Sequence, residues 1–224
     1  MEYGKTALVL GATGLVGGFL VKELIANPAY TKIKIFTRRS TNLQHPKIEE
    51  VIMDFDHMEM VKESVEGDVL FSAFGTTRNK AGSKEAQYKV DYTYQYNFAR
   101  LAARQGVDHY VLVSSSGADS SSSFFYLKMR GELEDAVKQL PFEKVYILQP
   151  SVLMGNRDEN RLGEEIGAKV FNALSFIPAI EKRRPIHGKV VAKAMVNILK
   201  MYTTDKVYVS TLNDLFDLAE GPKQ

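Results

Sequence analysis

Three glycines near the start of the chain can do chemistry without a side chain. Gly11, Gly14 and Gly17 follow the apolar run of residues 7–10 and open an amphipathic pattern through Leu15, Phe19, Leu20, Leu24 and Ile25. Strand, tight turn and helix in that order point free backbone N–H groups, about half a positive charge in macrodipole terms, at an anion. In such a turn Gly11 permits the sharp bend. Gly14 removes the side chain that would block a phosphate, and Gly17 lets the helix approach the strand. Thr13, Leu15 and Val16 share the turn. The anion expected there is a dinucleotide pyrophosphate. The spacing is G-x-x-G-x-x-G rather than the commoner G-x-G-x-x-G, so the strand and helix around it carry the reading.

The next candidates lie where the rest of a dinucleotide would fall. A second strand, 33–37, ends in Arg38 and Arg39. An acidic residue at this point binds a ribose 2′-hydroxyl, whereas arginine accommodates a 2′-phosphate, which its planar fork fits. The paired arginines therefore select NADP(H). A third strand, 50–53, runs into Asp54 and Phe55. Asp54 could accept from the adenine amino group, with Phe55 beside the ring, or could cap the helical segment that starts near His57. A fourth strand, 68–74, brings Phe74 and then Gly75 beside the cofactor ribose. A fifth, 110–113, ends in Ser114, Ser115 and Ser116, on the side where open α/β sheets bind ligands. A sixth, 144–148, leads into an irregular stretch in which Leu153 is a further cofactor-lining residue.

These positions require elements to hold them. Strands alternate with helices along the whole chain, which gives an α/β fold with one doubly wound parallel sheet, a Rossmann fold. Residues 78–82 read as a loop. One long helix is expected over 84–105, ended by Gly106. Helices over 190–201 and 211–218 flank a short strand at 206–209. Residues 1–224 form a single domain, with 154–187 as a small C-terminal cap over the strand ends, where the substrate would sit. Tyr92 and Tyr96 share a helix face, with packing as their default role. His187 reads as a cap at a helix entry, and the other histidines show no metal-ligand spacing.

Composition narrows the field further. The 224 residues carry 45% hydrophobic and 25% charged side chains and a net charge of +2, with no basic block to suit nucleic acid or a membrane surface. There is no cysteine, which removes disulfides, thiolate catalysis and cysteine-ligated metals. No secretory pattern opens the chain, so a cytoplasmic protein is expected. The fold leaves room for a homodimer or a protein partner.

Taken together, Gly11-Ala-Thr-Gly-Leu-Val-Gly17, the paired arginines, Ser114-Ser115 and Tyr126 resemble the atypical short-chain dehydrogenase/reductase family. Gly75-Thr-Thr-Arg78, Lys80-Ala-Gly82, Val90-Asp91, Gly117-Ala-Asp119 and Arg161-x-Gly163-Glu164 narrow the resemblance to its Tat-interacting-protein-like branch. The resemblance implies a serine that holds the substrate oxygen, a tyrosine that moves the proton, and a lysine four residues later. That lysine holds the nicotinamide ribose and lowers the tyrosine pKa. Carried over, these are Ser115, with Ser114 or Ser116 as alternatives, Tyr126, and position 130, where Arg130 replaces the lysine. A helical step of four residues returns to about 40° and a step of two to about 200°, so Arg130 and not Lys128 shares the Tyr126 face. The resemblance also puts Arg161 near a cofactor phosphate; an ion pair with Glu164 or Glu165 is the alternative. Two activities fit: an NADPH-dependent reductase of a small carbonyl compound, or an NADP(H)-binding regulator without turnover.

The 2′-phosphate assignment has a direct test. Arg38→Ala should weaken NADPH binding by about tenfold while NADH binding changes by less than about twofold, because only one ligand carries the phosphate. Titration of the purified protein with both cofactors checks it; equal losses would remove the assignment.

Overall fold

The computed structural model describes residues 4–154 and 184–221. Its first strand, β1 (Lys5–Leu10), shows how the molecule is layered. Ala7 and Val9 point to one face and Leu8 and Leu10 to the other, and all four are fully buried. A strand buried on both faces reads as an uninterrupted apolar run, as it does here.

The other strands are β2 (Tyr30–Thr37), β3 (Ile48–Ile52), β4 (Val69–Ser72), β5 (His109–Val113), β6 (Lys144–Leu148), a short pair β7 (Leu153–Met154) and β8 (Ile186–His187), and β9 (Val207–Ser210). Seven of them form one parallel sheet in the order β3-β2-β1-β4-β5-β6-β9. The helices are α1 (Leu15–Ala26), α2 (Arg78–Ala81), α3 (Lys84–Tyr88), α4 (Gln95–Arg104), α5 (Phe125–Lys138), α6 (Gly188–Asn197) and α7 (Leu212–Glu220). Leu20, Leu24, Val191, Met195 and Leu215 close one face over Val9, Ile33 and Ile35. Phe98, Leu101, Leu133 and Val137 close the other over Leu8, Leu10, Phe36 and Leu112. This is the doubly wound Rossmann architecture expected from the sequence.

The chain winds outward from β1 to β3 and then crosses back to β4 on the far side of β1. Ligands of open α/β sheets bind at the carboxyl ends where this reversal opens a crevice. The glycine turn between β1 and α1 lies there. Gly11 has φ +83, and a Cβ at that position would collide with the Ala73 carbonyl at the end of β4. A Cβ on Gly17 would collide with the Gly11 carbonyl.

Local structure departs from the sequence reading in three places. The long helix is present but not uniform: α3 runs into α4 without interruption through a wider π-helical turn, Lys89–Tyr94. Residues 78–81, read as loop, form α2, because Thr77 accepts a hydrogen bond from Lys80 N and Gly82, at φ +89, ends the turn. The irregular stretch after β6 contributes β7, which pairs with β8. These two strands are the described ends of the expected cap; Arg161 and the rest of that segment lie outside the described residues.

Gly17→Ala should cost about 1–3 kcal/mol of stability, since the new methyl must push the glycine turn off the helix. Thermal unfolding measures this. An unchanged midpoint would mean that the turn has slack.

Candidate functional site

The glycine turn is held by its own backbone. Gly14 N donates to Gly11 O at 2.8 Å, and Gly18 N donates to Gly14 O at 2.9 Å. Gly14 caps α1 without a side-chain hydrogen bond, and no acidic residue stands in the first turn. The helix start therefore presents its N–H groups and dipole to an external anion. Ala12, Val16 and Gly17 are buried, while Thr13 is exposed and Gly14 and Leu15 are half-buried. The Leu15 carbonyl packs so closely on Gly188 that a Cβ there would lie 3.1 Å from it. This contact brings the start of α6 to the turn. His187 caps that helix, its Nδ1 accepting from Lys189 N at 3.1 Å. Leu153, half-buried in β7, pairs with Ile186 directly before it.

Arg38 and Arg39 are both exposed at the end of β2, and neither forms an ion pair among the described residues. The nearby Glu50 carboxylate instead accepts from Ser40 Oγ at 2.8 Å and Thr41 N at 2.9 Å, and these bonds, with one from Thr41 Oγ1, lower its pKa. Asp54 behaves as a turn residue. It accepts from Asp56 N at 2.9 Å and pairs with His57 Nδ1 at 2.9 Å, and the backbone bond above all lowers its pKa. Phe55 lies in the core instead of on a ligand surface. It is 3% exposed, with Phe74 stacked on it at 5.0 Å and Tyr94 at 5.5 Å. Phe74 is half-buried and Gly75 is exposed.

The serine run resolves into distinct roles. Ser114 Oγ donates to the buried Glu134 carboxylate at 2.5 Å, and Gln149 Nε2 donates to both of its oxygens at 2.9 and 3.1 Å. Ser114 is thereby committed to joining β5, α5 and β6. The Ser115 hydroxyl has only a stretched 3.5 Å contact to Ser116 O. The buried Ser116 hydroxyl has no hydrogen-bond partner among the described residues. Ser115 thus keeps its hydroxyl uncommitted, while that of Ser116 is enclosed.

The loop after the serines is fastened to the tyrosine helix. Asp119 N donates to Leu127 O at 3.1 Å, and a Cβ on Gly131 would run into the Asp119–Ser120 backbone. Tyr126 stands in the first turn of α5. Arg130 lies one turn later, its guanidinium carbon 5.5 Å from the Tyr126 ring centre. Arg130 is 6% exposed whereas Lys128 faces solvent, as the helical step requires. Burial opposes the Arg130 charge, but Tyr126 and Asp91 outweigh it and hold the group protonated. Arg130 Nη2 faces Asp91 Oδ2 at 3.8 Å, while the buried Nε and Nη1 have no hydrogen-bond partner among the described residues.

Two buried carboxylates escaped the sequence reading, Asp91 and Glu134. A signal existed for the first: Gln87, Asp91 and Gln95 repeat every four residues on a helical pattern, and all three are buried. The neighbouring tyrosines form an outer ladder, with Tyr88 and Tyr92 stacked at 4.8 Å and Tyr92 and Tyr96 at 6.0 Å.

Residues 11–201 match a family described as NAD(P)H-binding. The chain is 37% identical to the protein FMP52, mitochondrial, of Candida albicans, over 96% of this chain and 99% of that one. It is 35% identical to the protein HTATIP2 of Rattus norvegicus, over 87% of this chain and 81% of that one. Among solved structures it is similar to MoeE5 in complex with UDP-glucose and NAD, with a TM-score of 0.69 at 15% identity, covering 97% of this chain and 81% of that one. A short-chain dehydrogenase/reductase superfamily protein from Agrobacterium tumefaciens with bound NAD gives 0.67 at 12% identity, covering 92% and 77%. The last two likenesses concern the fold alone. The relatives correct the expectation of a cytoplasmic protein: those from Candida albicans, Emericella nidulans and Scheffersomyces stipitis are named as mitochondrial. Composition and the lack of a secretory pattern bear on export and do not separate one internal compartment from another.

Burial raises the Glu134 pKa above its ordinary value of 4.5, against the hydrogen bonds from Ser114 and Gln149. Below that value the folded and unfolded chains both carry the proton. Above it the unfolded chain ionises first, so the group costs stability as pH rises. Relative to the wild type, Glu134→Gln should therefore gain in melting temperature between about pH 4 and pH 8. Parallel melts across that range check this; a constant difference would contradict it.

Proposed function

This chain belongs to the NAD(P)H-binding, atypical short-chain dehydrogenase/reductase family, in the branch that includes HTATIP2, and on that premise we propose that it is an NADPH-dependent oxidoreductase of a small carbonyl substrate. The observation that carries the proposal is the grouping on α5. Tyr126 has a buried, permanently charged Arg130 one turn beneath it, and the helix is fastened to a serine run with uncommitted hydroxyls.

The residues present fit the dinucleotide. The open N–H groups of α1 suit its pyrophosphate, the exposed Arg38 and Arg39 its 2′-phosphate, and the orphaned Arg130 donors its nicotinamide ribose. When bound, NADPH supplies a hydride to the substrate carbon. Ser115 donates a hydrogen bond to the substrate oxygen and holds it in place. Tyr126 gives that oxygen its proton. Arg130 stabilises the tyrosinate left behind, because an opposite charge favours the ionised form of a neighbouring group. Arginine does not titrate near neutral pH, so Tyr126 is reprotonated without passing a proton through residue 130. Burial of the guanidinium beside the half-buried Tyr126 limits competing water.

The arginine at 130 also supports a second reading, an NADP(H)-binding regulator with no turnover, whose cofactor state is read by a partner protein. Tyr126→Phe separates the two. For the oxidoreductase, NADPH consumption against a panel of aldehydes, ketones and quinones should fall by about 10²–10⁴-fold with NADPH affinity nearly intact. Tight NADPH binding by a wild-type chain that turns over no member of the panel would favour the regulator.

A further inference from the structure

Asp91 has no part in the proposal above, yet it lies at the centre of the site's charge. It sits in the π-helical turn between α3 and α4, and turns of this kind are rare and are frequently found at functional sites. Its side chain is fully buried. Thr76 N donates to Oδ1 at 2.6 Å, Gln87 Nε2 donates to Oδ2 at 3.3 Å, and Arg130 Nη2 faces Oδ2 at 3.8 Å. The far ends of the same turn are anchored on Asp56, by Lys89 Nζ at 2.9 Å and Tyr94 Oη at 3.0 Å. The main chain at Gly75 packs against both groups. A Cβ there would lie 2.9 Å from Arg130 Nη2 and 3.2 Å from Asp91 Oδ1.

An ion pair that served only the core would leave no donors stranded. Here Arg130 Nε and Nη1 are buried without a partner among the described residues, and unpaired buried donors are costly and uncommon. A lysine ammonium can swing to meet a ligand, whereas a guanidinium is a rigid planar fork and works only when its plane is fixed. We propose that Asp91 is the positioning residue for Arg130. It engages the fork at Nη2 and keeps Nε and Nη1 aimed at the oxygen acceptors of the nicotinamide-side ribose. The exchange of lysine for arginine at 130 then depends on a carboxylate at 91 to fix the donor plane and balance the buried charge. The identity of the ligand rests on the oxidoreductase reading; the pairing itself does not.

The test compares two ligands that differ at one end. NADPH reaches Arg130, whereas adenosine 2′,5′-bisphosphate carries only the adenosine end. Asp91→Asn keeps the side-chain shape and the acceptor for Thr76 N but removes the charge. It should weaken NADPH binding by about tenfold and change the affinity for the bisphosphate by less than about twofold. With any substrate that is turned over, kcat should fall while KM for that substrate stays nearly constant. Equal losses for both ligands would show a structural role only, and unchanged NADPH affinity would overturn the proposal. If Asp91→Asn does not fold, Gln87→Leu loosens the same carboxylate. A loss of about threefold for NADPH alone supports the proposal, and no difference between the ligands overturns it. A wild-type chain without turnover would defeat the oxidoreductase reading and leave the binding comparison decisive for Asp91.

Discussion

The structure depends on a contact between main chains. At the reversal point of the sheet the Gly11 turn lies directly on the end of β4, with the Ala73 carbonyl where a side chain would be. Gly17 brings α1 down onto the same turn. Two backbones can approach this closely only where there is no Cβ. This approach sets where α1 starts and so where its unpaired N–H groups point. It also fixes the residues after β4, since Ala73 N donates to Leu10 O at 3.0 Å and Gly75 follows two residues on. The open helix start and the segment that carries Gly75 are thus positioned by one crowded junction.

From that junction the polar groups form two buried anchors. Glu134 ties the end of β5 through Ser114 to the end of β6 through Gln149. Asp91 ties the segment after β4 through Thr76 to α5 through Arg130. Each carboxylate has its pKa raised, chiefly by burial, and each is partly compensated by several donors. Buried charge of this kind is a poor source of stability but a strong constraint on geometry. Both anchors act on α5, the helix that carries Tyr126. Their effect is to set that helix against three strand ends at once, which packing of apolar faces alone would leave free to slide.

Much of this was legible in the sequence. The apolar run before Gly11 and the alternation of strands and helices are local patterns whose meaning follows from strand and helix geometry. So does the placing of Arg130 and not Lys128 beside Tyr126, which needs only the period of a helix. Other features were not legible. Three consecutive serines have no chemical difference until Glu134 takes one of them. Asp54 and Phe55 fit an adenine site by position; the first bonds to its near neighbours Asp56 and His57, as a turn residue does, but the aromatic stack over the second depends on Phe74 and Tyr94, distant in sequence. The wide turn at Lys89–Tyr94 is hidden because its residues keep a helical pattern on both sides.

The sequence by itself determined the class of fold, the glycine turn and the helical face shared by Tyr126 and Arg130, because each depends on spacing within one short segment. Only the tertiary structure decided which serine hydroxyls are uncommitted and what faces Arg130. These depend on contacts between residues 15 to 62 positions apart, such as Thr76 with Asp91, Ser114 with Glu134 and Thr6 with Asp68. Long-range partners are chosen by where the sheet places each strand end, and no local pattern encodes that choice.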